Sequence, residues 1–251
     1  MTVFALLASA CGSTQSAPTV RHTPPGPPYR YVAVGGTDAS GGGTEDPFLD
    51  AWPQQLFRTS MPSSAVFVDA AVPNETVAEA RIVQVPTALA LSPTVVTVWL
   101  ISGDVLAGTP PATFGSELVQ LLTTLRNRGR TTVLVGSAPP LDQVPGYVAC
   151  RDGNGTRRLH CPDPLPDRAM LEARLAAYDT AVAAAAAAAG AVLVDLQTSV
   201  ARSVAAGSAP FLDSTGADLS TAGSTVVAGA FGAALRATLH PALHASTGAS
   251  G

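Results

Sequence analysis

Polar residues able to do chemistry gather in four short stretches, Gly35-Gly36-Thr37-Asp38-Ala39-Ser40, Asp69–Asn74, Ser102-Gly103-Asp104 and Phe211–Ser220. They offer hydroxyls and carboxylates. The 4 histidines, His22, His160, His240 and His244, all lie outside them and read as solvated or loosely packed side chains. Asp38 and Asp104 suit carboxylates that satisfy loop N–H groups, and Ser40 suits a loop or helix cap. Gly35–Gly43 has the look of a phosphate loop, but it lacks the dinucleotide-binding spacing and the lysine of a P-loop. All 14 basic residues are Arg, so Walker A and Schiff-base lysine chemistry are excluded. A net charge of −4 supplies no field for nucleic acid. Arg126, Arg128 and Arg130 suit a helix C-terminus and solvent. Cys150 and Cys161 bracket a loop rich in Gly and Pro. A disulfide there removes about 3 kcal/mol of unfolded-state freedom. The rival, a metal site with His160, lacks a fourth spaced ligand. No metal and no cofactor is expected.

The elements that must position these stretches follow from hydropathy. Tyr31–Val34, Ala65–Val68, Val95–Ile101, Thr132–Val135 and Ala191–Val194 are short apolar runs and predict strands. Between them, Phe48, Trp52, Leu56 and Phe57 recur at helical spacing. Val77–Leu91 predicts a helix interrupted near Pro86. Phe114, Leu118, Leu121, Leu122 and Leu125 mark a helix finishing at Gly129. Residues 166–189 form an Ala-rich helix stopped at Gly190, and a last helix spans Thr221–Leu239. Apolar strands alternating with helices predict an α/β domain with a central parallel sheet covered on both faces. Sites in such sheets lie at the carboxyl ends of the strands, where the first three polar stretches fall and which Phe211–Ser220 could join.

The domain is expected over residues 29–240. A signal or lipobox-like segment precedes it (1–11), with a Pro-rich linker (12–28), and a tail follows (241–251). Small residues before Cys11, then Gly-Ser-Thr and prolines, resemble a bacterial lipoprotein cleavage site, although no Arg or Lys precedes the apolar run; a frayed terminus is the alternative. No continuous apolar run reaches the ~18 residues of a membrane span. The expected location is the cell envelope or outside the cell, with membrane contact only through a lipid, and a disulfide agrees with that.

The order of the polar blocks resembles the SGNH or GDSL hydrolase family over about residues 29–240. Tyr31-Val32-Ala33-Val34-Gly35-Gly36-Thr37-Asp38 is similar to its first block, with Thr37 at the nucleophile. Asp69–Val77 resembles the second, with Ala71 at the glycine whose N–H holds the oxyanion. Val98–Asp104 resembles the third, with Gly103 in place of the oxyanion asparagine. Asp218-Leu219-Ser220-Thr221-Ala222-Gly223 resembles the last, with Asp218 at the histidine and Thr215 at the orienting aspartate; a register slip would bring in Asp213 instead.

The resemblance implies an ester-hydrolase fold, a three-layer α/β/α domain with a central parallel sheet of flavodoxin-like type, with these four blocks gathered at one sheet edge. The substitutions imply impaired chemistry. An internal Thr lacks the N-terminal amine that usually activates it. An ordinary Asp, with pKa near 3.9, is a weak base. A missing oxyanion donor costs ~3–4 kcal/mol. The implied protein is a monomer that binds a small acyl-ester or carbohydrate ligand in the former cleft. The alternative is an active acyl-ester hydrolase using Thr37 with a non-standard base.

Overall fold

The computed structural model describes residues 29–138, 140–153, 161, 167–206, 211–216 and 218–239. Cys11, all four histidines and the flanking segments lie outside these residues. Along the chain run β1 (Arg30–Gly35), α1 (Thr37–Ser40), α2 (Pro47–Asp50), α3 (Trp52–Ser60), β2 (Val66–Asp69), α4 (Val77–Ala90), β3 (Val95–Trp99) and α5 (Ser102–Ala107). Then come α6 (Pro111–Arg126), β4 (Thr132–Gly136), α7 (Pro145–Arg151), α8 (Arg168–Ala189), β5 (Val192–Val194), α9 (Leu196–Ala205) and α10 (Thr221–Leu239).

All neighbouring strands pair in parallel, in the order β2-β1-β3-β4-β5. This is the flavodoxin-like order, and its switch point lies between β1 and β3, where successive connections leave in opposite directions. Helix α6 packs against both α4 and α8, and α10 packs against both α3 and α9. β1, β3 and β4 are buried because both layers cover them. The edge strands are less protected, and Val66 and Leu193 are exposed, so full coverage fails at the rims.

Aromatic side chains join the layers. Trp52 of α3 stacks on Phe231 of α10 at 4.6 Å and meets Trp99 of β3 edge-on at 6.2 Å. α10 is long and apolar enough to cross a membrane by composition. Its Val227, Phe231 and Leu235 stripe is nevertheless core.

Local chemistry explains where elements begin and end. The Thr76 hydroxyl accepts from the Glu79 N–H while the Glu79 carboxylate accepts from the Thr76 N–H, a capping box that starts α4. α4 then runs through Pro86 without interruption. Pro86 is exposed, so the carbonyl it deprives of a partner can turn to water. Gly190, at φ 66°, caps α8. The helical spacing from Phe48 to Phe57 breaks at Ala51, which is extended (ψ 144°). Trp52 and Leu56 enter the core, while Phe48 stays 84% exposed. The first part of the cysteine loop is helical, in α7, and Cys150 is bonded to Cys161.

Candidate functional site

The turn after β1 is braced from α4. Buried Gln84 accepts from the Gly35 N–H and donates to the Gly35 carbonyl, both at 2.9 Å, and also donates to Glu75 at 2.8 Å. A Cβ at Gly35 would lie 2.5 Å from that of Ala39, so only glycine admits the tight turn into α1. Gln84 went unnoticed in the sequence because it belongs to no polar block. Its one signal is an uncharged polar residue beside the inward-facing Val85 and Ala88.

Thr37 opens α1, and its hydroxyl is engaged by Asn74. It accepts from the Asn74 N–H at 3.1 Å and donates to Asn74 Oδ1 at 3.2 Å. Asn74 sits at φ 63°, in the left-handed region that Asn tolerates better than most residues. An amide oxygen is no base at neutral pH.

The two expected oxyanion positions are also differently employed. The Ala71 N–H donates to Asp69 Oδ1 at 3.0 Å, so it is turned into its own loop. Burial pushes the Asp69 carboxyl up to about 6 against that bond. Gly103 lies in the first turn of α5 against the main chain of the β2–α4 loop. A Cβ there would stand 2.3 Å from the Glu75 carbonyl oxygen and 3.1 Å from that of Asn74. The position therefore has no room for an asparagine side chain, and Gly103 is a packing glycine.

In the last block, Leu212 and Leu219 form an antiparallel bridge, and the Asp213 N–H donates to the Asp218 carbonyl. Asp213 Oδ1 accepts from the Thr215 N–H at 3.1 Å, the Thr215 hydroxyl at 2.7 Å and the Gly216 N–H at 3.0 Å. Thr215 thus serves the turn organised by Asp213. Asp218 lies against the glycine run, where a Cβ at Gly43 would be 2.6 Å from the Asp218 Cβ and 2.7 Å from the Leu219 carbonyl oxygen. Those glycines let the last block close on the first. Burial raises the Asp218 pKa, and the nearby Asp213 charge raises it further.

The closest hydroxyl–carboxylate contact between blocks among the described residues joins Ser102, for which the sequence suggests no role, to Asp38, expected there only to satisfy loop N–H groups. Ser102, the first residue of α5, donates to Asp38 Oδ2 at 2.8 Å. Both are half-buried. Burial pushes the Asp38 carboxyl up to about 6; the Ser102 bond opposes this and the Asp218 charge adds to it. Asp104 behaves differently. It accepts from the Val77 N–H at 2.7 Å, the loop-satisfying role expected of such a carboxylate. Asp38 instead spans from the turn after β1 to the turn after β3. A pair of polar residues ending adjacent strands was the available signal, but adjacency of β1 and β3 is a tertiary fact. Ser40 donates to the Thr37 carbonyl and stays local.

Comparison with known proteins agrees with this architecture. The profile of the GDSL-like Lipase/Acylhydrolase family matches residues 33–242. Among solved structures, the psychrotrophic esterase EstA from Pseudoalteromonas sp. superposes with a TM-score of 0.57 at 13% identity, covering 84% of this chain and 98% of the other. The lipase/acylhydrolase from Enterococcus faecalis gives 0.58 at 14% identity, with 84% and 96% covered. The extracellular lipase from Streptomyces rimosus gives 0.53 at 15% identity, with 83% and 99% covered. No sequence among the curated proteins matches the chain.

Proposed function

Because the chain belongs to the GDSL-like lipase/acylhydrolase family, we propose that it keeps the family's cleft as a binding site and has left the reaction at the family's nucleophile position. The ligand is a small acyl ester or a carbohydrate. Related structures bear the names esterase and lipase, which supports an ester. The carboxylates of Asp38 and Asp218 suit ligand hydroxyls as hydrogen-bond acceptors.

The observation that carries this reading is the Thr37–Asn74 pair. A hydroxyl becomes a nucleophile when a base takes its proton. Both described bonds of the Thr37 hydroxyl go to an amide and a peptide N–H. The alternative, hydrolysis by Thr37 with a non-standard base, requires Asp218 to reach it in place of Asn74. The Ala71 and Gly103 positions offer no oxyanion support in their present bonding. The test is turnover of a panel of short p-nitrophenyl esters by the full chain and by Thr37→Ala. The expected result is no Thr37-dependent hydrolysis. Turnover that disappears in Thr37→Ala overturns the reading.

Export and a lipid on Cys11 belong to the same proposal, supported by the Cys150–Cys161 bridge. Expressed with its own N-terminus in a bacterial host, the chain should partition with membranes, and Cys11→Ser should release it. Unchanged partitioning counts against the anchor.

A further inference from the structure

We propose that Ser102, with Asp38 as its base, is the acyl-accepting hydroxyl of this cleft. The inference goes beyond the binding reading, since it gives the cleft a nucleophile at a position outside the family's own triad blocks. It does not depend on whether Thr37 is silent.

Three observations carry it. The Ser102 hydroxyl already points its proton at Asp38 Oδ2, 2.8 Å away, which is the nucleophile–base contact that covalent catalysis requires. The pair bridges the turns after β1 and β3, the strands that flank the switch point where open parallel sheets place their ligands. Both residues retain exposure, so an ester can approach. A carboxylate is ordinarily too weak a base for a hydroxyl. Asp38, pushed up to about 6 by burial, approaches the range of an imidazole. The charged group facing Asp38 among the described residues is Asp218, with Asp213 behind it. That like charge adds to the upward push of burial on the Asp38 carboxyl, which makes it a better proton acceptor.

The step balances without a co-reactant. Ser102 Oγ forms a bond to the ester carbonyl carbon while its proton passes to Asp38. The bond from that carbon to the leaving oxygen breaks, and p-nitrophenolate departs from an activated ester. Water then cleaves the acyl-serine, releasing the acid and restoring both side chains. With the Ala71 N–H and the Gly103 position committed elsewhere, transition-state support is weak. Activated esters are the fitting substrates, and acyl-serine should accumulate.

The experiment is acylation of the folded full chain by p-nitrophenyl acetate from pH 5 to 8, quenched in acid and mapped by peptide mass spectrometry. The expected result is acetyl on Ser102, formed at a rate that rises with pH and levels above about 6 as Asp38 loses its proton. Ser102→Ala should abolish that label. Asp38→Asn, nearly the same shape, should slow it by ~100-fold or more and flatten the pH profile. Mapping the wild-type chain decides the matter even if a variant folds poorly. Folded wild-type protein with no acetyl on Ser102, or Asp38→Asn labelling at the wild-type rate and profile, overturns the assignment. Acetyl on Thr37 instead overturns both this assignment and the binding reading. An unlabelled Thr37 and Ser102 together overturn this assignment alone.

Discussion

The turns that follow β1 and β3 each present a hydroxyl at the same edge of neighbouring strands, and the two are held differently. Thr37 exchanges hydrogen bonds with the main chain and amide of Asn74. Ser102 donates to a half-buried carboxylate. Thr37 is the residue that the sequence resemblance puts at the nucleophile, yet its amide partner is no base. Ser102 lies within the third block, at a position to which the resemblance assigns no role, and its partner is a carboxylate. Reactivity at this edge therefore depends on what each hydroxyl touches, and a motif position alone does not supply that.

The strongest way to break the comparison is to place the asparagine that the resemblance expects at Gly103, where the turn after β3 meets the β2–α4 loop that carries Asn74. Gly103→Asn forces a side chain into the Glu75 carbonyl, with its Cβ 2.3 Å away if nothing shifts. A loss of about 3 kcal/mol or more in unfolding free energy is expected, because main chain yields less readily than a side chain. Urea unfolding measures it. A stable Asn variant would show that the β2–α4 loop can retreat and that the oxyanion position is recoverable.

Next in size is the brace under Thr37. Gln84→Leu leaves the buried Gly35 N–H without its partner, while the Gly35 carbonyl keeps the Val72 N–H. The expected cost is about 2–3 kcal/mol. Hydrogen exchange should quicken at Gly35 first, and unchanged protection there would separate the brace from the turn it is argued to hold.

Asp38→Asn makes the two hydroxyls alike, each facing an amide. Folding raises the Asp38 pKa, so this carboxyl binds its proton more tightly in the native chain than in the unfolded one. Its contribution is full below the unfolded value near 3.9 and is lost as pH rises through about 6. The Asn variant should gain about 1–2 kcal/mol over wild type at pH 8, discounted for partial exposure, and nothing at pH 3.5. Asp69 and Asp218 are raised too, so a weaker pH slope should persist. Equal stability of the two proteins at both pH values would remove the basis for treating Asp38 as a strong proton acceptor.

Thr37→Val is expected to be the mildest change. It removes two hydrogen bonds with an exposed Asn74, a cost of about 0.5–1 kcal/mol by thermal unfolding. A much larger loss would mean that the Thr37–Asn74 contact organises the whole edge.

Much of the fold was legible because it follows from local regularity. The apolar runs became the parallel strands, within a residue or two at their ends. The last helix occupies Thr221–Leu239 as its periodicity indicated. Cys150 and Cys161 are bonded, as their loop spacing favoured. Where two local rules compete, exposure and the neighbouring backbone decide. Pro86 should break a helix by its chemistry, but its exposed position lets α4 continue. Phe48 fits the helical spacing, but the extended Ala51 turns it out to solvent.

By itself, the sequence determined the alternation of strands and helices, the glycines at turns and the order of the polar blocks, since each rests on residues close together in the chain. Only the tertiary structure decided what those blocks do. Ser102 and Asp38 are 64 positions apart and meet because β1 and β3 are neighbours in the sheet. Gly103 and Gly43 look like missing function and a phosphate loop, and both prove to be places where another segment's backbone needs the space. The Ala71 N–H could have faced a ligand, and an aspartate two residues away claims it. Hydrogen-bond partners and excluded volume depend on where distant segments come to rest, so the chemistry of this edge arises only once the sheet has assembled.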